Sequence, residues 1–233
     1  MDWKIVAEQL FPQAHTVNSD GDFLSGAGRN DGQDFAVIGT TNHAEVGVEL
    51  ALAMARAVLE AVRQTPKRPI LFLIDTRGQR LRHRDELLGI NSYMAHLGKC
   101  VEIARMRGHR VLGLIYDQAL SGGFIPNAMM ADLCGALPGA EIRVMGLPAM
   151  ARITRIPEER LNALSLASPV FAPGAINYVR MGAIDALWDG DLAVCLKGAL
   201  ERADAVDRRS SRGLERGGRT LARAVAQRVV NAA

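Results

Sequence analysis

Hydrophobic positions along the chain follow two rhythms, one of period two or continuous and one of helical spacing, and they alternate. Residues 22–41, DFLSGAGRNDGQDFAVIGTT, place Asn30-Asp31-Gly32 between two strand-like runs, which predicts two antiparallel strands joined by a tight turn. From 45 to 64 apolar residues recur at helical spacing until Pro66 and Pro69 stop them. The run 69–75, PILFLID, is short, continuous and apolar, as in a strand covered on both faces, and 75–79, DTRGQ, reads as the loop that ends it. Residues 86–107 return to helical spacing, Gly108 supplies a stop, and 110–117, RVLGLIYD, is a second buried strand. Strand, helix, strand is a parallel crossover. A helix is expected from the Ser121-Gly122-Gly123 loop through Met130, then strand-like stretches to Ala136 and at 143–145, and helices at 157–166, 175–181, 192–206 and 220–230.

Composition narrows this α/β reading. At 233 residues one domain with its own core is the default. Aromatics make up only 5%, so that core must be built from Ala, Val, Leu, Ile and Met, which suits helices packed on a sheet. No internal repeat is visible; the Arg-rich, Gly-containing stretch 208–218 reads as a mobile connection to the last helix. A net charge of +3 does not argue for nucleic-acid binding. Cys100, Cys134 and Cys195 form no C-x-x-C pair and leave an odd thiol under any pairing, which argues against a disulfide framework and a zinc site. The N-terminal stretch lacks the apolar core of a signal peptide and no later stretch is long enough to cross a bilayer, so a cytoplasmic protein away from membranes is expected.

Candidate chemistry centres on Ser121-Gly122-Gly123-Phe124, directly after a buried strand and before an expected helix. Paired glycines let a backbone approach a ligand closely, and the first N–H groups of a helix have no partner within it. Such donors form an oxyanion hole when the ligand oxygen gains charge, worth roughly 3–4 kcal/mol per donor removed. A tight turn with no ligand is the plain alternative. A Ser121 nucleophile is the rival; it lacks the G-x-S-x-G elbow, since Ala119 holds the first glycine position, and would need one of His43, His83, His96 or His109 as base. Arg77, Arg80, Arg82 and Arg84 could meet phosphates or an acidic carrier, or form a solvated basic loop. The tail arginines Arg209, Arg212, Arg216, Arg219 and Arg223 recur at three and four, and a solvated helical face is again the plain reading.

These residues together carry a resemblance. RVLGLIYDQALSGGFIPNAMMADLCGALPGAEIRVMGLPAMARI resembles the second half of the acyl-CoA carboxyltransferase domain of the crotonase superfamily, with its Gly-Gly oxyanion turn followed by Leu137-Pro138-x-Ala140-Glu141-Ile142 and Met145-Gly146. Upstream, Asp75-Thr76-Arg77-Gly78-Gln79 and Glu86-Leu87-Leu88-Gly89-Ile90 are similar to the family's D-x-P-G loop and E-x-x-G-I helix, with Arg77 departing from the usual Pro. Including the end LERGGRTLARAVAQRVV, the likeness is to the gamma subunits of biotin-independent malonate decarboxylases.

The resemblance implies a crotonase-like (ClpP/crotonase) α/β fold of repeated ββα units with stacked sheets, spanning the chain as a single domain. It implies a homologous beta subunit sharing the active site, and a malonyl thioester on the dephospho-CoA-type prosthetic group of an acyl carrier protein, with no cofactor or metal bound directly by this chain. Gly122 and Gly123 would then be catalytic, with Gly78, Gln79, Ser121 and Phe124 at the substrate. Pro126 and Ala149 fill the two glutamate positions that hydration requires in the superfamily, whereas decarboxylation generates its carbanion by loss of CO2 and needs only an oxyanion site. Tyr116, Gln79 or water could return the proton. Asp75, Glu86 and Glu141 read as structural carboxylates. A biotin-dependent carboxyltransferase subunit and a non-catalytic scaffold remain the alternatives.

Overall fold

The turn at Asn30-Asp31-Gly32 folds as its chemistry requires. Asp31 and Gly32 both take positive φ, 48° and 76°, and Asn30 pairs with Gln33, so β3 (Phe23–Asn30) and β4 (Gln33–Thr40) form an antiparallel hairpin. The structure is a computed structural model that describes residues 1–167, 174–203, 207–209, 211, 215 and 220–232. Helix α1 (Trp3–Leu10) and the short strands β1 (Ala14–His15) and β2 (Asn18–Asp20) precede the hairpin, and both strands pair with β3.

From β4 the sheet continues in parallel through β6 (Ile70–Gln79), β7 (Val111–Leu120), β8 (Leu133–Ala136) and β10 (Ala186–Leu187). Its crossovers are helix α2 (Val48–Gln64), and helices α3 (His83–Leu87) and α4 (Ile90–Met106). Alternation along β6 divides the core. Ile70, Phe72 and Ile74 pack with Met54, Val58, Leu97 and Val101 of α2 and α4, while Leu71 and Leu73 pack with Val6 and Leu10 of α1 and Leu196 of α8 (Leu192–Arg202).

The two long central strands fork the sheet. Beyond Ile74↔Ile115 the register slips, so that Thr76 faces Ala119. Past this bulge the ends of β6 and β7 pair with β5 (Ala44–Val46) and β9 (Glu141–Arg143) instead of β4 and β8. The stacked sheets expected from the sequence are therefore two branches of one ten-stranded sheet. Asp75 sits at the fork, 3% exposed, and its carboxylate accepts the backbone N–H groups of His43 (2.8 Å) and Gln118 (3.3 Å). It satisfies donors that the bulge takes off the ladder, the structural role read for it.

Several expected boundaries move. DTRGQ is the end of β6 rather than a loop, because β5 pairs with it; Glu45 and Val46 belong to that strand and not to α2. The helix expected over 86–107 is two helices broken at Gly89, whose φ is +74°. The helix expected through Met130 is two 3-10 turns, Ser121–Phe124 and Ala128–Met130. Pro126 has no N–H to donate back to Gly122, so an α-helical ladder cannot run across it.

Helices α5 (Leu147–Thr154), α6 (Glu158–Ala167), α7 (Ala175–Arg180) and α9 (Thr220–Asn231) complete the chain, α5 unforeseen and the others close to expectation. The expected helix 192–206 ends at Arg202, and 204–206 lie outside the described residues. So does most of the stretch 208–218, with Arg212 and Arg216, and Arg219 beyond it.

Candidate active site at the Gly78 and Gly122 turns

The branch of β6 and β7 carries two glycine turns into contact. The Thr76 hydroxyl donates to the Ala44 carbonyl (2.6 Å) and accepts the Gly78 N–H (2.9 Å), holding Gly78 at φ +107°. A Cβ on Gly78 would lie 2.7 Å from the Leu120 carbonyl oxygen. A Cβ on Gly123 would lie 2.7 Å from both Gly78 Cα and Thr76 Oγ1. Neither turn can carry a side chain at these positions and keep this approach. Gly122 differs: nothing lies within 4 Å of its ideal Cβ.

Backbone donors follow from the turn type. In a 3-10 turn capped by Leu120, the N–H groups of Ser121 and Gly122 precede the first i→i+3 bond, whereas Gly123 stands where that bond closes. The expected helix N-terminus is absent, so any oxyanion donor here is a turn N–H group without a helix dipole behind it.

Gln79 and Gly122 line one cleft of about 560 Å3, whose opposite wall is α4 at Met94 and Gly98, with Ile125 and Met130 along the side. Gly123 is buried behind Gly122. Ser121 is exposed at φ +54° and is not among the residues lining this cleft. Phe124, expected at the substrate, is instead 2% exposed in the core with Met54 and Leu97. The α4 wall was not named from the sequence, although a glycine in the middle of a helical pattern is a signal that could have found it.

Tyr116 lies on the other face of the sheet, its hydroxyl donating to the Thr40 carbonyl (3.0 Å), and burial pushes its pKa well up. Of the two side chains considered as proton donors, only Gln79 is at the cleft, with its amide donating to Glu86 (3.2 Å). The serine-nucleophile reading loses its base. Among the described residues no hydrogen bond joins His43, His83, His96 or His109 to Ser121; His43 Nδ1 is bonded to Asp75 (2.7 Å), His109 Nδ1 to the Arg68 carbonyl (2.8 Å), and His96 contacts Cys100.

Two of the four arginines in the basic loop are paired within the chain. Arg80 pairs with the buried Asp85 (2.7 Å) and with Glu49 (2.5 Å), and Arg84 also pairs with Glu49. The hydrogen bond from Arg84 lowers the Glu49 pKa to about 2, and the Arg80 bond holds the Asp85 carboxyl below its usual range. Arg77 and Arg82 remain exposed. His43, Asp75 and Asp117 offer ligand atoms within 4.8 Å of one another, but His43 is bonded to Asp75 and Asp117 to the N-terminal ammonium. Cys100, Cys134 and Cys195 form no disulfide with one another, and no helix among the described residues is long and apolar enough to cross a membrane.

The chain is similar to several known proteins. The chain is 31% identical over 151 residues to the malonyl-S-ACP:biotin-protein carboxyltransferase MADD of Malonomonas rubra, a match covering 61% of this chain and spanning about half, 52%, of that protein. Its fold is similar to a chain of a Pseudomonas malonate decarboxylase hetero-tetramer solved with coenzyme A, at TM-score 0.79 and 27% identity over 96% of both chains. A Pseudomonas MdcD-MdcE hetero-dimer gives 0.75 at 27% identity over the same shares. Transcarboxylase 12S, at TM-score 0.70 and 17% identity over 86% of this chain and 41% of that one, shares the fold. The sequence profile described as malonate decarboxylase gamma subunit matches residues 41–233, a span that includes both glycine turns and the α4 wall, and the chain belongs to that family.

Proposed function

We propose that this chain forms, with a homologous beta subunit, the decarboxylating unit of a cytoplasmic malonate decarboxylase. The substrate is a malonyl thioester on the dephospho-CoA-type prosthetic group of an acyl carrier protein. The carrying observation is that Gly122, whose N–H precedes the first bond of its turn, lines an open cleft, while Gly123 and Gly78 have no room for side chains where the two turns meet.

The chemistry asks little more of this chain. Cleavage of the bond between the carboxylate carbon and the methylene leaves its electron pair in the thioester enolate and releases CO2. The Gly122 N–H donates to the oxygen on which that charge collects, and Gly123 lets the turn lie against Gly78. Water at the cleft, beside the Gln79 amide, supplies the proton that makes the acetyl thioester. Stabilisation concentrated on the enolate lowers the barrier without lowering the ground state equally.

The likeness to a biotin-protein carboxyltransferase favours one second reading, in which the carboxyl group passes to biotin instead of leaving as CO2. Labelled CO2 release from malonyl carrier protein separates the two when measured with this chain, its beta partner and the pair, each with avidin present. Release by the pair alone, indifferent to avidin, supports the decarboxylase; abolition by avidin supports transfer to biotin.

A further inference from the structure

Gly98 has no packing reason to be glycine. It lies in the middle of α4, where alanine makes the more stable helix, and its φ is an ordinary helical one. What usually keeps a glycine there is close approach by another element. At Gly39 and Gly123 an added Cβ would meet a neighbouring atom at 2.2 Å and 2.7 Å respectively. At Gly98 the nearest atoms are Pro126 Cβ at 3.8 Å and the Pro126 carbonyl oxygen at 3.9 Å, an ordinary contact. The protein has room for a methyl group; the cleft is what would lose it, because Gly98 forms part of its wall together with Gly122 and Gln79.

We propose that Gly98 sets the bore of the channel for the thioester arm. This rests on the reading that a malonyl thioester reacts at Gly122. With the carbonyl held there, the sulfur and its substituent must leave through the same cleft, between α4 and the 3-10 turns. Met94, Ile125, Pro126 and Met130 make that passage mainly apolar, and the side-chain amides of Gln79 and Asn91 stand on its lining. A slim chain of methylenes and amides, the chemistry of a pantetheine arm, matches both features. A methyl group at 98 makes an ordinary contact with Pro126 and narrows the passage, and a larger residue narrows it further. Gly98 is thus a determinant of which thioesters are admitted, acting on the arm rather than on the acyl group.

The test compares malonyl-pantetheine with the malonyl thioester of ethanethiol, which has no arm to pass, using the assembled pair carrying Gly98→Leu or Gly98→Ala. Gly98→Leu should lower the ratio of kcat/KM for the long over the short thioester by roughly 10- to 100-fold, mainly through KM, and Gly98→Ala by a few-fold in the same direction. If Gly98→Leu prevents assembly on size exclusion, Gly98→Ala decides alone. Equal losses on both thioesters, or an unchanged ratio, would overturn the channel. Wild-type pairs inactive on both thioesters would overturn the functional reading and the channel with it, whereas active wild type with an unchanged ratio sinks only the channel.

Discussion

Glycines at three neighbouring positions are of two kinds, two pressed against backbone and one open, and the two kinds have different experimental signatures. Gly123→Ala drives a Cβ to 2.7 Å from Gly78 Cα, where backbone must move, so both the melting temperature and turnover should fall. Gly78→Ala adds strain at φ +107° and a clash with the Leu120 carbonyl, so it should resemble Gly123→Ala in a thermal melt. Gly122→Ala meets nothing within 4 Å and should leave the melt unchanged while turnover falls. The sequence pointed to all three through the Gly-Gly pair and the DTRGQ segment. It could not separate them, because which glycine is pressed and which is open depends on how β6 and β7 bring two turns together across 44 residues of chain. Phe124 was misread for the same reason: adjacency to Gly123 says nothing about which way a 3-10 turn points its fourth side chain.

At the scale of elements, buried ion pairs fix the parts that flank the cleft. Arg105 of α4, 6% exposed in its side chain, reaches Asp132 (2.6 Å) and Asp207 (3.2 Å), and Asp132 also accepts the Val111 N–H (2.8 Å). Arg209 continues this network to Glu102 (2.9 Å) and to the Met130 carbonyl (3.3 Å), two residues of the cleft lining. Removing one member strands a buried charge, so Arg105→Met should cost about 3–5 kcal/mol in urea denaturation of the chain. A loss under 1 kcal/mol would show that the network is peripheral. The order of strands and helices was legible because continuous apolar runs and helical spacing differ plainly in ILFLI and ELALAMARAVLEAV. The ends were not: Thr76 to Gln79 look like loop until β5, far upstream, pairs with them.

For the whole molecule, carboxylates with depressed pKa values contribute to the acid side of the stability profile, modestly where water screens them as it does Glu49 and Asp207. Glu49 is held at about 2 by Arg84, and Asp85 and Asp207 are lowered by Arg80 and Arg209. A depressed carboxylate contributes stability above its unfolded pKa and loses it as pH falls through the folded one. The urea midpoint should therefore drop as pH is lowered from about 5 towards 2, and Glu49→Gln should flatten part of that slope. A midpoint independent of pH across this window would remove these pairs from the account.

In the proposed reaction an open glycine N–H on this chain carries decarboxylation by the assembled pair. The most direct measurement is labelled CO2 release from malonyl carrier protein by pairs containing wild-type chain or Gly122→Val, matched for melting temperature and for assembly on size exclusion. Valine keeps the backbone N–H but stands its side chain in the cleft that the substrate oxygen must enter to reach it, so the predicted result is a fall of roughly 10- to 100-fold in turnover with the fold and the complex intact. Wild-type turnover by the Gly122→Val pair would contradict it and make this chain a scaffold for its partner's chemistry.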